Sequence, residues 1–122
     1  MARGAVLLVD DDPQILRFVG MLLEQAGFEV VGAARGQDAV LRALERDFDA
    51  VVLDQKLPDQ SGVETLVEIR KARPGIGAIF SSGRVSPELA AVAARLQALT
   101  LEKPYRASAL VEALDRLLQK TA

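Results

Sequence analysis

Five apolar runs of strand length recur along the chain, and this regular recurrence is the feature that most constrains the fold. Three of the runs are continuous enough to be buried on both faces, as the strands of parallel sheets are. Segments with helical spacing separate the runs. The alternation therefore predicts an α/β fold with right-handed crossovers, a doubly wound (βα)5 three-layer sandwich around a five-stranded parallel sheet. The runs are AVLLVD (5–10), FEVVGA (28–33), DAVVLD (49–54), GAIFSS (77–82) and ALTLE (98–102).

Start and stop signals bound several of the intervening helices. Asp12 is a suitable N-cap before Pro13 at the first helical position, and Gly27 closes the same helix. Ser61 and Glu64 have the spacing of a capping box, which predicts the start of the third helix. The remaining helices are predicted around 39–44, from Ser86 onward, and around 110–118.

The composition limits the chemistry that the chain can perform. Its 122 residues suit one domain, which is expected to span 1–122 with a single core. Because cysteine and histidine are both absent, the chain lacks thiolate sites, the commonest general base and the commonest zinc ligand. A formal net charge of -2 favours neither nucleic acid nor an anionic membrane as a partner. No apolar run approaches the ~18 residues of a membrane span, and no secretory h-region is present, so a cytoplasmic location is expected.

Polar side chains follow the strands at one edge of the predicted sheet. The first strand ends in Asp10 and Asp11, the third in Asp54 and the fourth in Ser82, while Lys103 follows the fifth. Open sheets of this kind bind ligands beyond the carboxyl ends of their strands, so these side chains are expected to meet there. Clustered carboxylates repel one another unless a cation compensates, and their hard oxygen atoms suit Mg²⁺. The sequence therefore predicts a divalent cation at this edge.

Several of these polar residues have a simpler explanation when they are taken singly. An aspartate after a strand often caps the next helix, which is the better interpretation of Asp12. Ser82 alone is a loop hydroxyl that satisfies nearby backbone, and Lys103 alone is a solvated surface cation. The joint arrangement of five compatible groups at the ends of four strands is much harder to attribute to coincidence.

Four motifs together resemble the receiver domains of two-component response regulators. They are LLVDDDP, VVLDQKLPDQSG, FSSG and LEKPY, in this order along essentially the whole chain. The resemblance implies the flavodoxin-like strand order 2-1-3-4-5. It also implies that Asp54 accepts a phosphoryl group, and that Ser82 and Lys103 interact with the oxygen atoms of that group.

The same resemblance implies how the cation is held. Asp11, Asp54 and the backbone carbonyl of Lys56 would ligate Mg²⁺. Asp10 would act mainly through a metal-bound water. The repulsion among the three carboxylates then becomes a requirement for the metal.

Partners and the type of activity are also implied. The phosphoryl group would come from a histidine kinase or a histidine phosphotransfer protein. The phosphorylated chain would bind a downstream protein or self-associate through the face of the fourth helix, fifth strand and fifth helix. A domain of this type promotes its own phosphorylation and dephosphorylation without a separate turnover substrate, so it is not expected to be an enzyme. Small residues of the fourth helix would serve either this docking or close packing on the sheet: Ala90, Ala91, Ala93 and Ala94.

The chain departs from the receiver pattern at one position and carries long cations at two others. Receivers usually have an aromatic residue three positions before the lysine, where this chain has Thr100. Lys56 and Arg84 lie two positions after Asp54 and Ser82, and their side chains either overhang the site or point into solvent. If they overhang it, they are predicted to screen Asp54 from water and to prolong the phosphorylated state.

Three other functions fit the sequence less well. A haloacid dehalogenase-type phosphatase also begins with a strand that runs into D-x-D, but Gln14 stands where such enzymes want Thr or Val. A flavodoxin-like FMN carrier has a phosphate loop rich in hydroxyls and glycine, whereas three aspartates would repel a phosphate. The main alternative is a receiver-like interaction module that works without phosphorylation, although retention of the five site residues argues against it.

Overall fold

A computed structural model of the protein describes residues 3–119, which form five strands that alternate with five helices. The ends of the predicted domain, 1–2 and 120–122, lie outside the described residues. All of the predicted elements are present, and the strand bounds agree with the prediction to within one residue. The strands are β1 (Ala5–Val9), β2 (Glu29–Ala33), β3 (Ala50–Asp54), β4 (Gly77–Ser82) and β5 (Leu99–Glu102), and the helices are α1 (Pro13–Gln25), α2 (Gly36–Glu45), α3 (Gly62–Ala72), α4 (Pro87–Arg95) and α5 (Ala107–Gln119).

The strands form one parallel sheet in the order β2-β1-β3-β4-β5, which confirms the predicted fold class and strand order. Every residue of β1 and β3 is buried, and so is almost all of β4, whereas the edge strands β2 and β5 are partly exposed. This difference explains why the inner strands have continuous apolar sequences. The strand order reverses between β1 and β3, so a crevice opens beyond the carboxyl ends of these two strands.

The sheet divides the hydrophobic core into two clusters, as the predicted three-layer sandwich requires. Helices α2, α3 and α4 cover one face, where Leu66 and Ile69 are almost fully buried. Helices α1 and α5 cover the other face, where Leu23, Leu110 and Leu114 are buried. Each fully buried leucine contributes about 1.5–3 kcal/mol, so both layers of helices stabilise the sheet that positions its carboxyl edge.

The predicted helix signals are confirmed by the contacts at the helix ends. Asp12 accepts a hydrogen bond from the backbone N–H of Gln14 at 2.9 Å, as an N-cap does. Ser61 Oγ accepts from the N–H of Glu64 at 3.0 Å, and the Glu64 carboxylate accepts from the N–H of Ser61 at 3.1 Å. Both bonds of the capping box are therefore made. Gly27 follows α1 with φ of +102°, a conformation that glycine adopts without strain.

The alanines of α4 divide between the core and the surface. Ala93 is buried against the sheet, whereas Ala90, Ala91 and Ala94 are exposed. Close packing on the sheet therefore explains only Ala93, because the other three lie on the outer face of the helix. No helix among residues 3–119 combines the length and the apolar character that crossing a bilayer requires.

Candidate functional site

The fold brings the five predicted site residues to one edge of the sheet. Asp54 and Ser82 are the last residues of β3 and β4, and Lys103 follows β5 directly. Asp10 and Asp11 follow β1, the neighbour of β3. Parallel pairing places all of these strand ends side by side, so residues that are far apart in sequence converge in the crevice where the strand order reverses.

Asp10, Asp11 and Asp54 form a compact cluster of carboxylates. One oxygen atom from each residue lies within 4.8 Å of the others. Asp10 and Asp54 are buried, while Asp11 is exposed, so the cluster opens to solvent on one side. Hard oxygen donors with access to water suit a Mg²⁺ ion, which keeps part of its hydration shell.

Lys103 supplies positive charge to this cluster. Its Nζ lies 2.8 Å from Asp10 Oδ2 and 3.3 Å from Asp54 Oδ2. Burial by itself would lower the pKa of Lys103, but the hydrogen bond that Lys103 donates to Asp10 and the charges of Asp10 and Asp54 together raise that pKa above its ordinary value. The side chain is therefore a permanent cation at neutral pH.

Asp54 is nevertheless short of compensating charge. Burial raises its pKa above the ordinary value for an aspartate, and the nearby charge of Asp10 raises it further. Lys103 acts in the opposite direction but does not reverse the shift. The N–H of Lys56 donates only a long hydrogen bond, 3.4 Å, to Asp54 Oδ1. A bound cation would thus gain from an electrostatic environment that the protein leaves unbalanced.

The Ser82 hydroxyl bonds within its own loop. Its Oγ donates to the backbone carbonyl of Arg84 at 2.8 Å and accepts from the N–H of Arg84 at 3.3 Å. These contacts agree with the simpler explanation of Ser82 as a loop hydroxyl that satisfies nearby backbone groups. Ser82 also lines the cleft beside Asp54.

The loop between β3 and α3 lies close against the end of β3. Lys56 forms an isolated antiparallel bridge with Ser61 across this loop. A Cβ atom at Gly62 would lie 2.7 Å from the carbonyl oxygen of Asp54, so only glycine permits this approach. The backbone carbonyl of Lys56 is thereby held in the segment that directly follows Asp54.

Asp59 fixes the same loop to α2, a contact that the sequence prediction missed. Its two carboxylate oxygens accept from the N–H groups of Gly36 at 2.8 Å and Gln37 at 3.0 Å. The hydrogen bond from Gln37 is the main reason that the pKa of Asp59 lies below its ordinary value. One sequence signal was available, because Arg35 at the N-cap position cannot cap the helix with its own side chain.

Glu102 makes a second contact that the sequence did not suggest. Its Oε1 accepts from the backbone N–H of Val85 at 2.9 Å, which joins β5 to the loop between β4 and α4. No local sequence pattern marks this pair, because it depends on how β4 and β5 are aligned.

A cleft of about 490 Å³ lies above Asp54, and the two long cations border it. Lys56 and Arg84 line this cleft with Asp11 and Lys103. Both residues are exposed, and their position at the cleft is compatible with the prediction that they overhang Asp54.

Thr100 lies away from this cleft, at the outer edge of the sheet. It is half-buried and lines a shallow groove of about 300 Å³ between β5 and α5 with Leu101, Ala109 and Glu112. The small side chain thus leaves room where the resemblance leads one to expect an aromatic ring.

Comparison with known proteins agrees with the fold. The family model described as response regulator receiver domain matches residues 6–115. The chain belongs to the response regulator receiver domain family. It is thus a receiver domain of the two-component type, as the four motifs predicted, and nothing in the comparisons favours an interaction module that works without phosphorylation.

The receiver is similar to curated proteins and to solved structures over nearly its whole length. It is 37% identical to the transcriptional regulatory protein GlrR of Escherichia coli over 96% of this chain but only 27% of that protein. The chain therefore spans about a quarter of this relative. A receiver domain structure from Clostridium thermocellum has a TM-score of 0.90 at 30% identity, with 99% of this chain and 97% of that one covered. The BeF3-activated DrrB receiver domain has a TM-score of 0.85 at 31% identity, with 98% and 99% covered.

Proposed function

We propose that Asp54 accepts a phosphoryl group from the phosphohistidine of a histidine kinase or a histidine phosphotransfer protein. The observation that carries this proposal is the carboxylate of Asp54 at the cleft, 3.3 Å from the ammonium group of Lys103. An Asp54 oxygen attacks phosphorus, the P–N bond to the histidine breaks, and the imidazole leaves with the electron pair and takes up a proton. The product is an acyl phosphate on Asp54.

The acidic cluster supplies the ligands for Mg²⁺ in this reaction. Asp11, Asp54 and the backbone carbonyl of Lys56 would hold the ion, and Asp10 would reach it mainly through a bound water. The compact set of carboxylate oxygens and the uncompensated charge at Asp54 support this assignment. When bound, Mg²⁺ supplies charge neutralisation for the phosphoryl oxygens.

Lys103 and Ser82 act on the oxygen atoms of the transferred group. Lys103 offers an ammonium group already directed toward Asp54. Ser82 donates a hydrogen bond to a phosphoryl oxygen after its hydrogen bond to the carbonyl of Arg84 breaks. Both interactions are stronger with the spread charge of the transition state than with the carboxylate alone, so they promote transfer.

Hydrolysis returns the domain to its first state. Water attacks phosphorus, the bond to Asp54 breaks, and inorganic phosphate leaves. Lys56 and Arg84 restrict the approach of this water and prolong the phosphorylated state, because both line the cleft. The domain promotes its own modification and has no separate turnover substrate, so we do not class it as an enzyme.

The output is proposed to be a change in partner binding at the face formed by α4, β5 and α5. The exposed Ala90, Ala91 and Ala94 allow another surface to approach α4 closely, which supports docking of a downstream protein or a second copy. Curated relatives carry names of transcriptional regulatory proteins, and this chain spans only part of them. We propose that the receiver itself contacts neither nucleic acid nor membrane and works in the cytoplasm.

Mass spectrometry tests the proposed phosphorylation. Incubation with Mg²⁺ and a small acyl phosphate donor should add the mass of one phosphoryl group to the wild-type chain. Asp54→Ala or addition of a chelator should abolish the gain. Beryllofluoride, present in the related DrrB receiver structure, provides a second probe of the same site. A wild-type chain that gains no mass, or an Asp54→Ala variant that still gains it, would contradict the proposal and favour docking without phosphorylation.

A further inference from the structure

The loop of residues 83–86, between β4 and α4, forms one wall of the cleft above Asp54. Gly83 and Arg84 of this loop line the cleft next to Ser82. The loop is short, so a hydrogen bond at either of its ends restricts where the Ser82 hydroxyl can point. Both ends are held by such a bond.

The first bond occupies the Ser82 hydroxyl. Its proton is donated to the carbonyl oxygen of Arg84 at 2.8 Å. A serine hydroxyl has one proton to donate, so in this arrangement it cannot also donate to an oxygen atom carried by Asp54. Ser82 must release Arg84 before it can bond to a phosphoryl group.

The second bond holds the far end of the loop. The N–H of Val85 donates to Glu102 Oε1 at 2.9 Å, and Glu102 pairs directly with Ser82 in the register of β4 and β5. The N–H of Lys103 also donates to the carbonyl of Ser82 at 2.7 Å, so the backbone of Glu102 is fixed relative to Ser82. A bond to a carboxylate is stronger than one between neutral groups. Glu102 therefore holds Val85 against the same strand pair that carries Ser82 and Lys103.

We infer that Glu102 is a positioning residue that holds the loop of residues 83–86 in the arrangement in which Ser82 bonds to Arg84. It thereby opposes the movement of Ser82 toward a phosphoryl group on Asp54. This inference rests on the proposed function and adds a regulatory element to it. Glu102 acts through Val85 and the loop, and it sets how readily the domain leaves its resting arrangement.

Binding of beryllofluoride in the presence of Mg²⁺ measures this opposition directly. Glu102→Ala removes both the charge and the hydrogen-bond acceptor, whereas Glu102→Gln removes the charge but keeps an acceptor oxygen. Calorimetric titration should show about threefold to tenfold tighter binding for Glu102→Ala, the effect expected of one exposed hydrogen bond. Glu102→Gln should stay close to wild type, because its amide oxygen still accepts from Val85.

Amide hydrogen exchange at Val85 distinguishes loss of the hydrogen bond from loss of the Glu102 charge. The N–H of Val85 should be protected in the wild type and in Glu102→Gln and should exchange faster in Glu102→Ala. Glu24→Ala, at an exposed position of α1, is the matched control and should leave both binding and exchange unchanged.

Two results would overturn the inference. One is unchanged beryllofluoride affinity in Glu102→Ala, and the other is equal tightening in Glu102→Ala and Glu102→Gln, which would reduce the effect to removal of a negative charge. Asp54→Ala separates this failure from failure of the proposed function. Binding that is absent in wild type, or that survives Asp54→Ala, contradicts both the proposed function and the inference. Binding that requires Asp54 but does not respond to Glu102→Ala contradicts the inference alone.

Discussion

In the cleft at the amino edge of the sheet Arg70 bonds to backbone, whereas in the cleft at the carboxyl edge Lys103 faces the carboxylates of Asp10 and Asp54. Arg70 of α3 donates to the carbonyl oxygens of Leu96 and, at 2.9 Å, of Ile76. Asp49 Oδ2 accepts from the N–H of Ala5 at 2.7 Å at the same edge. At the opposite edge, the ammonium group of Lys103 contacts Asp10 and Asp54, and Asp11 completes the cluster of three carboxylates.

This contrast shows that the volume of a cleft does not indicate whether its side chains are suited to a reaction. Arg70 lines a cleft of about 510 Å³ at the amino edge, slightly larger than the one above Asp54. Burial lowers the pKa of Arg70, and its guanidinium ties the ends of α3 and α4 to the start of β4. The charge there joins structural elements. At the carboxyl edge the charges are left unbalanced, which costs stability and would favour the cation that we propose binds there.

The largest expected effect follows from removing the cation of the carboxyl edge. Lys103→Met leaves the buried Asp10 and Asp54 without their ammonium partner, so phosphorylation by a small acyl phosphate should slow by about a hundredfold. The free energy of unfolding in metal-free buffer should fall by about 2 kcal/mol. Rates by mass spectrometry and urea unfolding measure the two effects. Lys71→Met, at an exposed position of α3, is the control. An unchanged phosphorylation rate in Lys103→Met would show that Lys103 takes no part in the reaction.

Arg70 provides the matching test at the amino edge. Arg70→Met leaves the carbonyl oxygens of Leu96 and Ile76 without their donor, so the free energy of unfolding should fall by about 1–3 kcal/mol. Beryllofluoride affinity should stay at the wild-type value. Arg95→Met, at an exposed position of α4, serves as control. If Arg70→Met weakens beryllofluoride binding instead, the two edges are coupled and the contrast between them fails.

The unbalanced charge predicts a pH dependence with a definite sign. The pKa of Asp54 is raised above the ordinary value of 3.8, so the folded state binds the proton more tightly than the unfolded state. Stability in metal-free buffer should therefore fall as the pH rises from 3.8 through the raised pKa, and this loss persists at neutral pH.

Asp54→Asn removes that loss because the amide carries no charge. We expect its free energy of unfolding at pH 7 in metal-free buffer to exceed that of wild type by about 1 kcal/mol. The difference should shrink in acid, where Asp54 is protonated. Urea unfolding across this pH range measures it, and a variant less stable than wild type at pH 7 would show that Asp54 is adequately compensated.

The smallest expected effect concerns Lys56 and Arg84, the two cations that line the cleft. The double variant Lys56→Ala with Arg84→Ala should lose its phosphoryl group about twofold to fivefold faster, because water reaches Asp54 more freely. Decay of the phosphorylated mass over time measures this rate. An unchanged rate would show that the carboxyl edge works through its charges alone.

The sequence predicted most of the fold because its signals are local. Apolar runs and helix caps depend on neighbouring residues, so Asp12, Ser61 and Glu64 could be assigned correctly before any contact was known. The two core layers follow from the same signals, since burial of the inner strands on both faces requires a layer on each side. Leu22 and Leu44 belong to helical apolar patterns but are exposed, because the pattern is broader than the face that the sheet covers.

Within the candidate site, the two kinds of information contribute different things. The sequence by itself determined which chemical groups stand at the strand ends, because the end of a strand can be read from the residues beside it. Only the tertiary structure decided the contacts of Asp59 with α2 and of Glu102 with Val85. Those bonds join segments that are distant in the chain, and they exist only once strand order and register have brought the loops together.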